Sequence, residues 1–197
     1  MATTRATSPT SPAVRPAGDA VVPAVLDAAA TLFAERGPAR TSLRDVATEA
    51  GVTYGLVFRH FGTKENLIAA VLDHLGDRLL ELINDRQRGE DFDTAVNTHA
   101  VVVARALLDG FPADKLQTRF PGVDILIDEL SDAFDTELEA RLAAANAVAL
   151  QVGWLLLEPY LRAATGLTET PQETVDDAVN ATLATITRAS SPRRFRT

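Results

Sequence analysis

The segment TSLRDVATEAGVTYGLVFRHFGTK, residues 41–64, sets two short helices and the start of a third close together along the chain. Ser42 can accept a hydrogen bond from the open backbone N–H groups of a helix start, and Asp45 follows three residues on. Leu43, Val46, Ala47 and Ala50 fall on one face at helical spacing. Gly51 then supplies the permissive backbone that a tight stop needs. Thr53 reads as a second cap and opens YGLVFRHF, in which Val57 and Phe61 face inward while Tyr54, Arg59 and His60 point outward. Thr63 caps a third helix, with Glu65 in its first turn, where the helix dipole favours negative charge. A second helix held this way is short and rigid, and it can enter the major groove of DNA. An ordinary helical hairpin satisfies the same local pattern.

The rest of the chain reads as helix, with no strand pattern and no internal repeat. A first helix begins between Asp19 and Pro23 and runs to Arg36, with Val25, Ala28, Ala29, Leu32 and Phe33 in helical period. A fourth runs from Lys64 to Arg86, and a fifth from Asp93 to Asp109. A short helix is expected over 113–118, and Pro121-Gly122 breaks the chain again. Further helices are expected over 123–131 and 135–165. Thr170-Pro171-Gln172-Glu173 then reads as cap, first-position proline and reciprocal glutamate of a last helix ending near Arg188. The expected fold is therefore all-α, with about nine helices. Residues 1–18 form an arm rich in Pro, Ser, Thr and Ala, too poor in apolar surface to fold alone. Arg5 and Arg15 are its only charges, and a minor-groove contact is an alternative to a passive tail. A head over 19–66, a body over 67–189 and a tail over 190–197 complete the expected organisation.

Charge divides along the same line. Residues 1–64 carry 7 Lys+Arg and 5 Asp+Glu, a balance of +2, whereas residues 65–197 carry 12 and 22, a balance of −10. An acidic chain is unsuited to indiscriminate nucleic-acid binding; a slightly basic head on an acidic body suits binding with one end. The chain has no cysteine, which rules out disulfides and thiol chemistry. His60, His74 and His99 are scattered without metal-ligand spacing, and no phosphate-cradling glycine loop is present. No catalytic residue, metal or cofactor is therefore expected. No run approaches the ~18 apolar residues of a membrane span, and the start of the chain has no apolar signal core. A cytoplasmic protein with no membrane partner is the expectation. Seventeen arginines against two lysines, with abundant alanine, point to a GC-rich bacterial genome.

The stretch LAAANAVALQVGWLLLEPYLRAATGL is apolar on nearly all sides and must be covered on all sides. One small chain covers only part of such a helix. Leu150, Leu157 and Leu161, with Val175, Val179, Leu183 and Ile186 of the last helix, are therefore the candidate faces of a four-helix homodimer contact. A wholly internal core helix is the alternative. Pro159 should cost one backbone bond and bend the helix near Leu155.

Residues 22–74 resemble the amino-terminal domain of the tetracycline-repressor (TetR) family of transcriptional regulators. The resemblance lies in LDAAATLFAERG, in TSLRDVATEAGVTYGLVFRHFGTKENL and most specifically in Phe58-Arg59-His60-Phe61 followed by Gly62-Thr63-Lys64-Glu65. It implies that Thr53, His60 and Lys64 contact phosphates, or bases in the case of Thr53. Gly55 would allow close backbone approach, and Ser42 would contact phosphate through its hydroxyl and N–H. Tyr54, Leu56, Phe58 and Arg59 complete the candidate DNA-binding set. Three of these depart from the family pattern. Phe58 stands where tyrosine is common, Leu56 where a small polar residue is common, and Tyr54 where a basic residue is frequent. Leu56 can touch a thymine methyl but cannot hydrogen-bond a base. The resemblance further implies a cavity within residues 93–165 for a largely apolar effector. His99, Val103, Phe111, Phe120, Ile127, Phe134, Gln151 and Trp154 are its candidate lining, with His99 and Gln151 as polar groups. The expected protein is a ligand-responsive homodimeric repressor on a palindromic DNA operator. The alternative is a helical sensor or interaction module that keeps the head as scaffold.

Overall fold

Helix ends along this chain are marked by side-chain caps and by glycines, and the computed structural model, which describes residues 20–87 and 89–188, follows that punctuation. Its helices are α1 (Val21–Arg36), α2 (Leu43–Glu49), α3 (Tyr54–Phe61), α4 (Lys64–Asn84), α5 (Glu90–Leu108), α6 (Pro121–Ser131), α7 (Glu137–Thr165) and α8 (Gln172–Ile186). The described residues contain no strand. The expectations for the arm over 1–18 and the tail over 190–197 lie outside the described residues.

α1 to α4 enclose one core. Val25, Leu32 and Phe33 of α1 meet Val46 and Ala47 of α2, Val57 and Phe61 of α3, and Leu67, Ile68, Val71 and Leu72 of α4, all buried. Val52 and Leu56 pack against the same core. Val102 and Ala106 of α5 and Leu116 belong to it as well, so apolar packing is continuous from the three-helix head into the body. A second, smaller core joins Leu130 of α6 to Ala140, Ala143 and Ala144 of α7, with Leu126, Ile127 and Phe134 beside it. α6 packs on α7, and α7 on α8.

Several boundaries differ from the sequence reading, each for a local reason. The helix expected over 113–118 is only a 3-10 turn, Ala113–Lys115, because Leu116 and Gln117 leave it to become buried. α5 starts at Glu90 rather than 93, with Glu90, Asp91 and Asp93 all in its first turn, where the dipole favours them. Pro121 does not break the chain but begins α6, since its missing N–H costs nothing there. Thr170 does not cap the last helix, and Pro171 is not its first residue. Pro171 has extended ψ of 143° and α8 starts at Gln172 without a side-chain cap, while the Thr170 carbonyl accepts from Arg162. α7 begins with a reciprocal Thr136–Glu139 cap and continues through Pro159 to Thr165. It also corrects the reading on membrane spans: by length and composition alone α7 is long and apolar enough to cross one, because its few polar residues are spread thinly.

Candidate nucleic-acid interface and ligand cavity

The face presented by α3 is built from the bottom of the head outward. Gly51 and Gly62, at φ of 66° and 69°, turn the chain on either side of α3. Val57 and Phe61 then anchor the helix inward, which leaves Thr53, Tyr54, Gly55, Phe58, Arg59 and His60 exposed. Thr53 occupies the cap position, but its hydroxyl makes no cap hydrogen bond, contrary to the sequence expectation. That leaves the hydroxyl free on the outer face. A Cβ built on Gly55 would meet nothing within 4 Å, so the surface there is open to close approach. Leu56 does not belong to this outer set in the same way. It is half-buried against the head's core, at the edge of the face.

The aromatic residues form a pile that sequence spacing alone does not reveal. Tyr54 and Phe58 stack with ring centroids 5.9 Å apart at 30°, and the Arg44 guanidinium of α2 lies 5.5 Å from the Tyr54 centroid. A cation over an aromatic face is worth roughly 0.5–1 kcal/mol at exposed sites. Arg44 was not among the sequence candidates. The one available signal was the i, i+4 spacing of Tyr54 and Phe58; the Arg44 partner comes from another helix.

Ser42 and Lys64 have partners already. The Ser42 N–H and hydroxyl both donate to Asp45 Oδ2 at 2.7 Å, and the Asp45 N–H donates to Ser42 Oγ at 3.2 Å. The Ser42 N–H, then its hydroxyl, hold the Asp45 carboxyl below the usual carboxylate range. An anion thus already sits where an incoming phosphate would use the same donors. Lys64 Nζ donates to Pro38 O at 2.9 Å and to Ala39 O at 3.4 Å, tying α4 to the α1–α2 loop.

The sequence candidates for a cavity do not converge. His99 and Gln117 share a hydrogen bond of 3.1 Å, and burial pushes the His99 imidazole below its ordinary value. Val103 and Phe111 pack on the large core, whereas Ile127 and Phe134 pack on the small one. Trp154 is half-buried. Phe120, 49% exposed, and Gln151 are on the surface, which removes them from an enclosed wall. Of the set, Phe111 alone lines the ≈ 360 Å³ pocket between the start of α4 and the α5–α6 connection.

The face of α7 and α8 is largely uncovered. From residue 148 to Thr165 no residue of α7 is buried, and Leu157 and Tyr160 are 52% and 70% exposed. Leu150, Leu161, Val179, Leu183 and Ile186 are half-buried. Val175 is the exception among the candidates, because it is already buried within the chain. Leu138, Leu142 and Leu155 are exposed apolar residues of α7 that the sequence reading did not single out.

Residues 25–71 match the model of the family described as bacterial regulatory proteins, tetR family. A transcriptional repressor of Mycobacterium tuberculosis, Rv3405c, is 50% identical, over 84% of this chain and 88% of its own length. The transcriptional repressor KstR2 of Mycolicibacterium smegmatis is 31% identical over 60% of this chain and 69% of its own length. A solved transcriptional regulator from Rhodococcus sp. Rha1 shares the fold with a TM-score of 0.56, at 24% identity over 83% of this chain and 94% of that one.

Proposed function

Because the chain belongs to the TetR family of bacterial regulatory proteins and is a DNA-binding transcriptional regulator rather than an enzyme, we propose that it is a homodimeric repressor, acting in the cytoplasm, which leaves a palindromic operator when a small molecule binds its body. The observation that carries this reading is the outward face of α3. Five of its residues and the cap residue Thr53 are exposed together while Val57 and Phe61 fix the helix from behind.

On that face the free Thr53 hydroxyl, Tyr54 and Arg44 are the groups within reach of base edges. His60, Arg59 and Lys64 meet phosphates, and Ser42 does so once Asp45 swings aside. Phe58 lacks the phenol that would add another phosphate contact, so its contribution is the stack that holds Tyr54. Leu56 contributes packing and an apolar edge.

The uncovered apolar length of α7, with Leu157 and Tyr160 exposed, supports dimerisation through α7 and α8. A second copy accounts for that face without invoking a bilayer. It also supplies a second α3, which a palindrome read at two half-sites about one DNA turn, roughly 34–36 Å, apart requires. The division at 66/67 is then functional: the head reads DNA, while the body pairs and takes up the effector. The effector acts by population shift, lowering operator affinity by as much as it prefers the non-binding state.

A mobility-shift assay with DNA flanking the chain's own gene tests this. The parent should bind a palindrome saturably and with strong salt dependence. His60→Ala and Lys64→Ala should weaken binding to all sequences alike and lower the salt slope by about one each. If both variants bind as tightly as the parent, these roles are wrong.

A further inference from the structure

Residues 109–119 form a strap across the joint between head and body. At one end Asp109 Oδ2 accepts from the Ala39 N–H at 2.7 Å, in the α1–α2 loop. At the other end Thr118 Oγ1 donates to Asp73 Oδ2 at 3.1 Å, and Arg119 Nη2 donates to Asp77 Oδ2 at 2.9 Å, both on α4. The ≈ 360 Å³ pocket lies between this strap and the first two turns of α4. Its size falls at the lower end of the ~300–1,000 Å³ that small-molecule sites span.

The lining sets the chemistry of an occupant. Ile68, Phe111 and Leu116 give an apolar wall, suited to an aromatic or branched aliphatic body. The charged lining is Glu65 and Asp109 against Lys115, two acids to one base. A cation gains from that imbalance and an anion is repelled. We propose that this pocket is a binding site for a small amphiphilic amine, its apolar part against Ile68, Phe111 and Leu116 and its ammonium facing Glu65 and Asp109. The proposal rests on the reading of the chain as a ligand-responsive regulator, and it gives that response a ligand class and a place, at the joint where the body meets the head rather than wholly within the body.

The site is coupled to the head by construction. Asp109 lines the pocket and also holds the α1–α2 loop, so an ammonium draws on the same carboxylate that anchors Ala39. The fit there is close: a Cβ on Gly37 would come 3.1 Å from Asp109 Oδ2. Lys64 grips the same loop from its carbonyl side, 2.9 Å from Pro38 O. A change at Asp109 therefore reaches the loop that leads into α2.

The test titrates 2-phenylethylamine into the full chain, with 2-phenylethanol and phenylacetate as neutral and anionic matches of similar shape. Backbone amide NMR shifts are the readout. The amine should shift amides in residues 65–68 and 109–116 saturably, with the neutral match about tenfold weaker and the anion weaker still. Glu65→Gln should weaken amine binding and Lys115→Gln should strengthen it. Equal shifts from all three compounds, or unchanged amine affinity in both variants, would overturn the site. Operator binding by the same samples, measured without the amine, separates the two readings. A chain that binds operator but not the amine loses the pocket proposal alone. One that takes up the amine as expected yet binds no operator loses the regulator reading alone.

Discussion

Arg44, Tyr54 and Phe58 make the reading face more rigid than its residue types suggest. Tyr54 is 42% exposed, but its ring lies against both a guanidinium and a second ring. Tyr54→Ala removes both the ring and the support under Arg44. We expect it to cost about tenfold in affinity for the preferred operator, within the ~1–3 kcal/mol of a base contact, and far less on unrelated DNA. Competition binding against a randomised pool reads that difference as altered sequence preference. Much at this scale was legible in advance. The inward pair Val57 and Phe61 and the outward Tyr54, Arg59 and His60 follow from helical period, and the structure has them so. Arg44 and Lys64 were not legible in the same way. Their partners, the Tyr54 ring and the Pro38 and Ala39 carbonyls, come from other segments, and only the folded head brings them together. Leu56 belongs to the DNA-binding set by resemblance alone, and the structure packs it half-buried against the core of the head, at the edge of the face.

Among the elements, cap chemistry decided what the sequence could disclose. Ser42 with Asp45, and Thr63 before α4, cap as their residue types predict. A Thr-x-x-Glu cap, Thr136 with Glu139, begins α7 at Glu137, two residues past the expected start at 135. At Thr170 a good cap sequence loses to tertiary contact, because Arg162 takes the Thr170 carbonyl and Pro171 stays extended. The segment after α5 is a 3-10 turn rather than the expected helix for a related reason. Leu116 and Gln117, each 6% exposed, are drawn into the core between α4 and α5, and no helical period encodes that. Gln117 meets His99 there. Burial lowers the His99 pKa from its ordinary 6.5, so the unfolded chain takes up a proton that the folded chain resists. Stability is unaffected by this group above 6.5 and falls as pH drops below it toward the folded value. Thermal melts across that range should show a smaller acid-side decline in His99→Gln than in the parent.

On the scale of the molecule, an apolar helix with one side bare is the main unfinished surface. α7 is buried only along Ala140–Ala147, and a homodimer would cover the remainder with a second copy. Light scattering on the parent should give twice the 21.1 kDa chain mass. Leu157→Glu, at a residue 52% exposed in the single chain, should give the single mass without unfolding. A helical far-UV spectrum checks the latter. The sequence disclosed the need for a cover but not its full extent. It points to Val175, which is already buried within the single chain, and not to Leu138, Leu142 or Leu155. The monomer's own packing decides which apolar residues remain for a partner. The most direct measurement for the whole account is a hydroxyl-radical footprint of the dimer on DNA flanking its gene. Two protected patches related by a two-fold, with centres about one helical turn apart, roughly 10 base pairs, are the expected result. Faint, even protection along the fragment, or a single unpaired patch, would contradict a pair of α3 helices reading one duplex together.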